Sequence, residues 1–78
     1  MRFSVSSGSG QVLANGRLII QTDESGVQRL CFESDRGTFI EGGEISPEGD
    51  LIEAAQELYR QFFRAWGVMG ITMTSIAP

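Results

Sequence analysis

In residues 50–66 the apolar side chains recur at helical spacing, and a helix with one apolar stripe dictates what so short a chain must supply elsewhere. Advancing about 100° per residue places Leu51, Ala54, Ala55, Leu58, Phe62 and Trp66 within about 60° of a common direction. The start of this helix is marked twice, by Ser46 followed by Pro47 and by Asp50 with Glu53 three positions on. Gly67 marks its end. Glu48, Asp50 and Glu53 come early and Arg60 and Arg64 late, as the helix dipole favours.

The stretch "LYRQFFRAWG" within it holds four aromatics and two arginines. Arg60 and Arg64 share the polar arc with Glu53 and Glu57, opposite Leu58 and Phe62, so the rings and guanidinium groups do not form one platform for stacking bases. The aromatic stripe reads as core. Its arc is nonetheless wide, because Ile52, Tyr59, Phe63 and Trp66 extend it sideways. Either a curved sheet wraps that flank or another chain meets it.

A single helix needs a second layer, and the preceding residues read as strands. "RLIIQT" (17–22) and "VQRLCF" (27–32) flank "DESG", a hairpin turn with Gly26 at its end, and "GTFIE" (37–41) follows the turn "ESDRG". "RFSV" adds an edge strand before a flexible "SSGSGQ", and "VMGITMTSI" (68–76) returns to the sheet. The expected architecture is α+β, an antiparallel sheet of three to five strands with one long helix on one face, in the order ββββαβ or βββαβ. Alternation in "VQRLCF" sets Leu30 and Phe32 on one face and Val27, Arg29 and Cys31 on the other. If the first pair meets the helix, Cys31 points outward or into an interface.

The chain has 78 residues, enough for one domain spanning 1–78, with the 41% hydrophobic and 21% charged content of an ordinary globular protein. Its one cysteine and the lack of an apolar leader in "MRFSVSSGSGQV" lead to the expectation of a reducing, cytoplasmic setting. All six basic residues are arginine, which together with ten glycines suggests a GC-rich bacterial or phage coding sequence.

The absence of histidine removes histidine triads and histidine metal sites, and the absence of lysine removes P-loop and Schiff-base chemistry. One cysteine supplies no thiolate cluster, and a buried, inert thiol is the ordinary role for it. "GSGQVLANG" has Leu13 where a dinucleotide fingerprint needs its third glycine. "ESDRGTFIEGGE" has Thr38 where a calcium loop needs glycine. The reading is therefore of a protein without catalysis, metal or cofactor.

The net charge of −4 is unevenly spread. Glu33, Asp35, Glu41, Glu44, Glu48, Asp50, Glu53 and Glu57 fall between 33 and 57 against Arg36 alone, while the remainder of the chain is positive. Such a balance disfavours direct binding to nucleic acid and points to a basic protein surface as partner. Glu33, Asp35, Arg36, Glu41, Glu44 and Glu48 are the candidate contact residues. In size, coding bias and acidic segment the chain is similar to the small phage-made inhibitors of bacterial defence complexes, anti-CRISPR proteins among them. That likeness of format implies an inhibitor that denies a basic groove to nucleic acid. The alternative is an assembly module that forms a homodimer or docks into a larger particle through Ile52, Tyr59, Phe63 and Trp66.

Overall fold

In the computed structural model, which describes residues 2–76, the chain order is β1 (Arg2–Ser6), β2 (Val12–Thr22), β3 (Gln28–Ser34), β4 (Phe39–Glu44), α1 (Ile52–Trp66) and β5 (Thr72–Ile76). The five strands form one antiparallel sheet in the order β4-β3-β2-β1-β5, with α1 packed on one face. The ββββαβ expectation holds. Consecutive hairpins explain β1 to β4, and β5 closes against β1 because the chain leaves the helix at the end of the sheet where β1 finishes, with Ser6 opposite Thr72.

Three details depart from the expectations. The first strand is interior, lying between β2 and β5, and β5 is the edge. β2 begins at Val12, five residues before the predicted start, because residues 12–17 pair with β1. A bulge there sets Val5 opposite Ala14 and Ser6 opposite Val12, leaving Leu13 as the extra residue, and Leu13 and Ala14 both pack on the core. Residues 68–71 are not strand; Gly70, at φ 68°, turns the chain before β5.

Four turns share one construction that the sequence reading did not single out. Residues 7–11, 23–27, 34–38 and 46–50 each begin with Ser or Asp and carry glycine at the fourth position. In each, the first residue's C=O accepts the glycine N–H at 2.9–3.0 Å, and its side-chain oxygen accepts the N–H of the fifth residue at 2.9–3.2 Å. The glycines sit at φ of 83–89°, a left-handed conformation that strains any L side chain even though a Cβ at these positions would meet no neighbour. "SSGSGQ" is thus a hydrogen-bonded hairpin loop rather than a loose one. Ser46 likewise caps its own turn and not the helix, and the Asp50/Glu53 capping box does not form: the cap position is Leu51, with no side-chain cap bond, and Asp50 Oδ1 accepts the Ile52 N–H at 2.8 Å in an Asx turn that leads into the helix. Gly67 ends α1 in the left-handed conformation, its N–H donating to Phe63 O at 2.7 Å.

The core is Val5, Leu30, Phe32, Ile40, Ala54, Leu58 and Phe62, with Phe62 meeting Phe32 edge to face at 5.5 Å. Leu30 and Phe32 do face the helix. The helix lies over β4 and β3, and it comes close because β4 carries Gly42 and Gly43 beneath it. A Cβ on Gly42 would lie 2.8 Å from that of Leu58 and collide with Leu30 O; one on Gly43 would lie 2.9 Å from Glu57 Cβ. Gly42→Ala is therefore expected to lower stability by about 3 kcal/mol, read as a shifted urea midpoint. An unchanged midpoint would mean that the helix is not seated on this strand.

Candidate partner-binding surfaces

The open face of the sheet, away from α1, is built from the residues that alternate with the core. Arg17 and Glu33 lie opposite each other on β2 and β3, and Arg17 Nη2 approaches Glu33 Oε1 at 2.9 Å. Arg29 on β3 reaches both Glu41 and Glu44 on β4, at 3.3 Å each. Arg2 grips Asp35 through both terminal nitrogens, one of them at 2.7 Å, which fastens the tip of the β3–β4 hairpin to β1. Four of the five acids singled out from the sequence are thus neutralised by the protein's own arginines, which approach from strands the charge tally counted as a separate positive region. Glu48, in the turn before α1, has no ion-pair partner among the described residues, and neither has the exposed Arg36.

These residues also do not gather at one place. Asp35 and Arg36 occupy one end of the β3–β4 hairpin, and Glu44 pairs with Arg29 at the other, about 20 Å away at the rise of an extended strand. Glu33 and Glu41 lie on the open face between them.

The Arg2 guanidinium, chiefly by hydrogen bonding, holds the Asp35 carboxyl below the usual carboxylate range. Asp23 is held low in the same direction, first by the Ser25 hydroxyl and then by the Val27 N–H. Lowered folded values mean that both contributions are in place above the ordinary carboxyl value of about 3.9 and are lost as pH falls through the lowered ones. Arg2→Ala should raise the Asp35 titration toward the ordinary value in a carbon-detected NMR pH series. An unmoved titration would exclude the pairing in solution.

Cys31 points to the open face as the alternation requires, yet it is fully buried. Ile19 and Glu41 stand directly across from it, with Arg29 and Glu33 on the same face, and the long arginine stems roof this part of the sheet. Burial pushes the thiol up from its usual range. It should react with a disulfide reagent much more slowly in the folded protein than in urea; equal rates would show the roof to be open.

The helix flank is different in character. Ile52 is 65% exposed, Phe63 48% and Tyr59 37%, three large side chains in one line along α1. Tyr59 and Phe63 continue into Val68, Met69 and Ile71 around a shallow cleft of about 350 Å³, and Met69 is 75% exposed. Trp66, grouped with this flank from the wheel, instead turns to the core side. Its ring lies 5.3 Å from Phe62, and it lines a separate cleft of about 400 Å³ with Leu13, Ala14 and Asp35. Sheet curvature does not wrap the flank, because α1 sits over β4 and β3 at one margin of the sheet. Met69 lies outside the expected flank because "VMGITMTSI" reads as one strand; Gly70, at φ 68°, is the local signal that interrupts it.

Among the described residues, no group of three acidic, cysteine or histidine side chains is placed to hold a metal ion, and no helix is long and apolar enough to cross a membrane. No protein-family model matches the chain. No curated protein and no solved structure matches it either.

Proposed function

We propose that this chain is a non-catalytic, cytoplasmic protein-binding module whose contact surface is the apolar line Ile52, Tyr59 and Phe63, continued by Met69. The observation that supports it is the exposure of four large apolar side chains on so small a domain, three of them in line along α1 and two of these bordering one cleft with Met69. Tyr, Phe and Met are also residue types enriched at protein interfaces. A surface of this kind suits docking into a larger assembly.

The acidic-groove inhibitor stands behind this reading. A carboxylate already paired to an arginine has less to offer a basic groove, since the internal pair must be given up before the external one forms.

One comparison separates the two. Immobilised wild type, Phe63→Asp and the double variant Glu41→Lys/Glu48→Lys are exposed to the same bacterial lysate. The expected outcome is a partner retained by wild type and by the double variant and lost from Phe63→Asp. Loss from the double variant with retention by Phe63→Asp would transfer the function to the acidic segment, and retention of nothing by wild type would count against both.

A further inference from the structure

The two edges of the sheet are treated differently. β4 carries Glu41 and Glu44, is broken in register at Gly42–Gly43, and is overhung by Gln61 and Arg64 of α1, which with Phe39 and Ile40 line the cleft beside it. These are the usual guards against edge-to-edge pairing. β5 has none of them. Thr72–Ile76 contains no charge, no proline and no glycine, pairs with β1 in unbroken register, and is rich in β-branched residues.

Hydrogen-bond parity identifies which groups of β5 are free. The Gly8 N–H donates to Met69 O at 3.1 Å, so Gly8 points toward β5, and alternation turns the backbone groups of Ser6, Ser4 and Arg2 the same way. Their partners Thr72, Thr74 and Ile76 therefore bond to β1, and the N–H and C=O of Met73 and Ser75 point out from the sheet edge.

We infer that β5 pairs antiparallel with β5 of a second copy, about a two-fold axis at Thr74, and so joins two sheets into one. In this register Met73 and Ser75 of each copy exchange both backbone hydrogen bonds with Ser75 and Met73 of the other. All four outward N–H and C=O pairs are used. Thr74 then faces its own counterpart across a non-hydrogen-bonded position, where threonine pairs are favourable, and Thr72 faces Ile76. Self-complementarity selects a second copy as the occupant: about a two-fold axis at Thr74 the same two residues, Met73 and Ser75, supply every donor and every acceptor, the isologous pattern of a symmetric dimer. Each chain carries a net −4, and two such chains repel over most of their surfaces. Pairing about Thr74 brings only uncharged side chains of β5 into opposition. The inference rests on the strand edge and not on the helix flank, so either stands if the other falls.

Sedimentation analysis of wild type and four variants, Thr74→Glu, Thr74→Lys, Ser75→Pro and Phe63→Asp, tests it. Wild type should give twice the 8.5 kDa chain mass at high concentration. Thr74→Glu and Thr74→Lys should each sediment as monomers, because like charges then meet across the axis, and an equimolar mixture of the two should recover the dimer mass. Ser75→Pro should also be monomeric while unfolding at the same temperature as the monomeric Thr74→Glu, since it removes an outward N–H and no bond to β1. A wild type that remains monomeric overturns the inference. So does a dimer that survives Thr74→Glu and Ser75→Pro, or one that dissociates only in Phe63→Asp, which would place the contact on the helix.

Discussion

The contact of Leu58 and Phe62 with the strands beneath them is the interaction on which the rest of the structure depends. A domain of this length has a stability of about 4–12 kcal/mol, and removing a buried phenylalanine ring costs about 3–5 kcal/mol. Phe62, with no exposed surface and aromatic neighbours in Phe32, Tyr59 and Trp66, therefore carries a large share of the total. The contact forms only because Gly42 and Gly43 let the helix backbone approach β4. That proximity fixes α1 over the β4–β3 margin, and the position of α1 in turn leaves its far flank in solvent. Exposure of Ile52, Tyr59 and Phe63 is thus a consequence of where two glycines stand.

The open face is organised by charge instead of by apolar contact. Arg17, Arg29 and Arg2 each reach across to acids on neighbouring strands or the adjoining turn, so acids crowded in sequence become paired in space. Exposed ion pairs of this kind contribute little stability individually. Their effect here is on what the face presents to other molecules: a mixed, largely compensated surface with Cys31 sealed beneath it. The distribution directs attention to the uncompensated features, which are the apolar helix flank and the uncharged edge of β5.

Much of the fold was legible in the sequence because its signals are local. Helical periodicity, the glycine stop at Gly67 and the alternation around Leu30 and Phe32 depend on neighbours a few residues apart, and each was realised, except that Leu51, expected on the apolar stripe, stands just before the helix and is exposed. The four Ser/Asp turns with glycine at the fourth position were equally local, though only two were recognised as turns. The long β2 was missed because "VLANG" lacks a clean alternation, and its strand character comes from pairing with β1. Ser46 was misassigned for a related reason: a serine before proline suits a helix start, but its hydroxyl was taken by the Asp50 N–H in the turn ahead of it.

Of the surfaces relevant to function, the sequence by itself determined which residues share a face of the helix and which side of β3 each residue occupies, since both follow from fixed backbone periods. It did not determine which side chains would remain exposed or which charges would remain unpaired. Those depend on contacts between residues as far apart as Arg2 and Asp35, or Gly42 and Leu58. Tertiary structure alone decided that the acids of the open face are paired to arginines from other strands, that Trp66 serves the core and not the flank, and that β5 rather than β1 is an edge. The physical reason is common to all three: pairing across a sheet and close packing of a helix are settled by distance in space, which local sequence patterns do not encode.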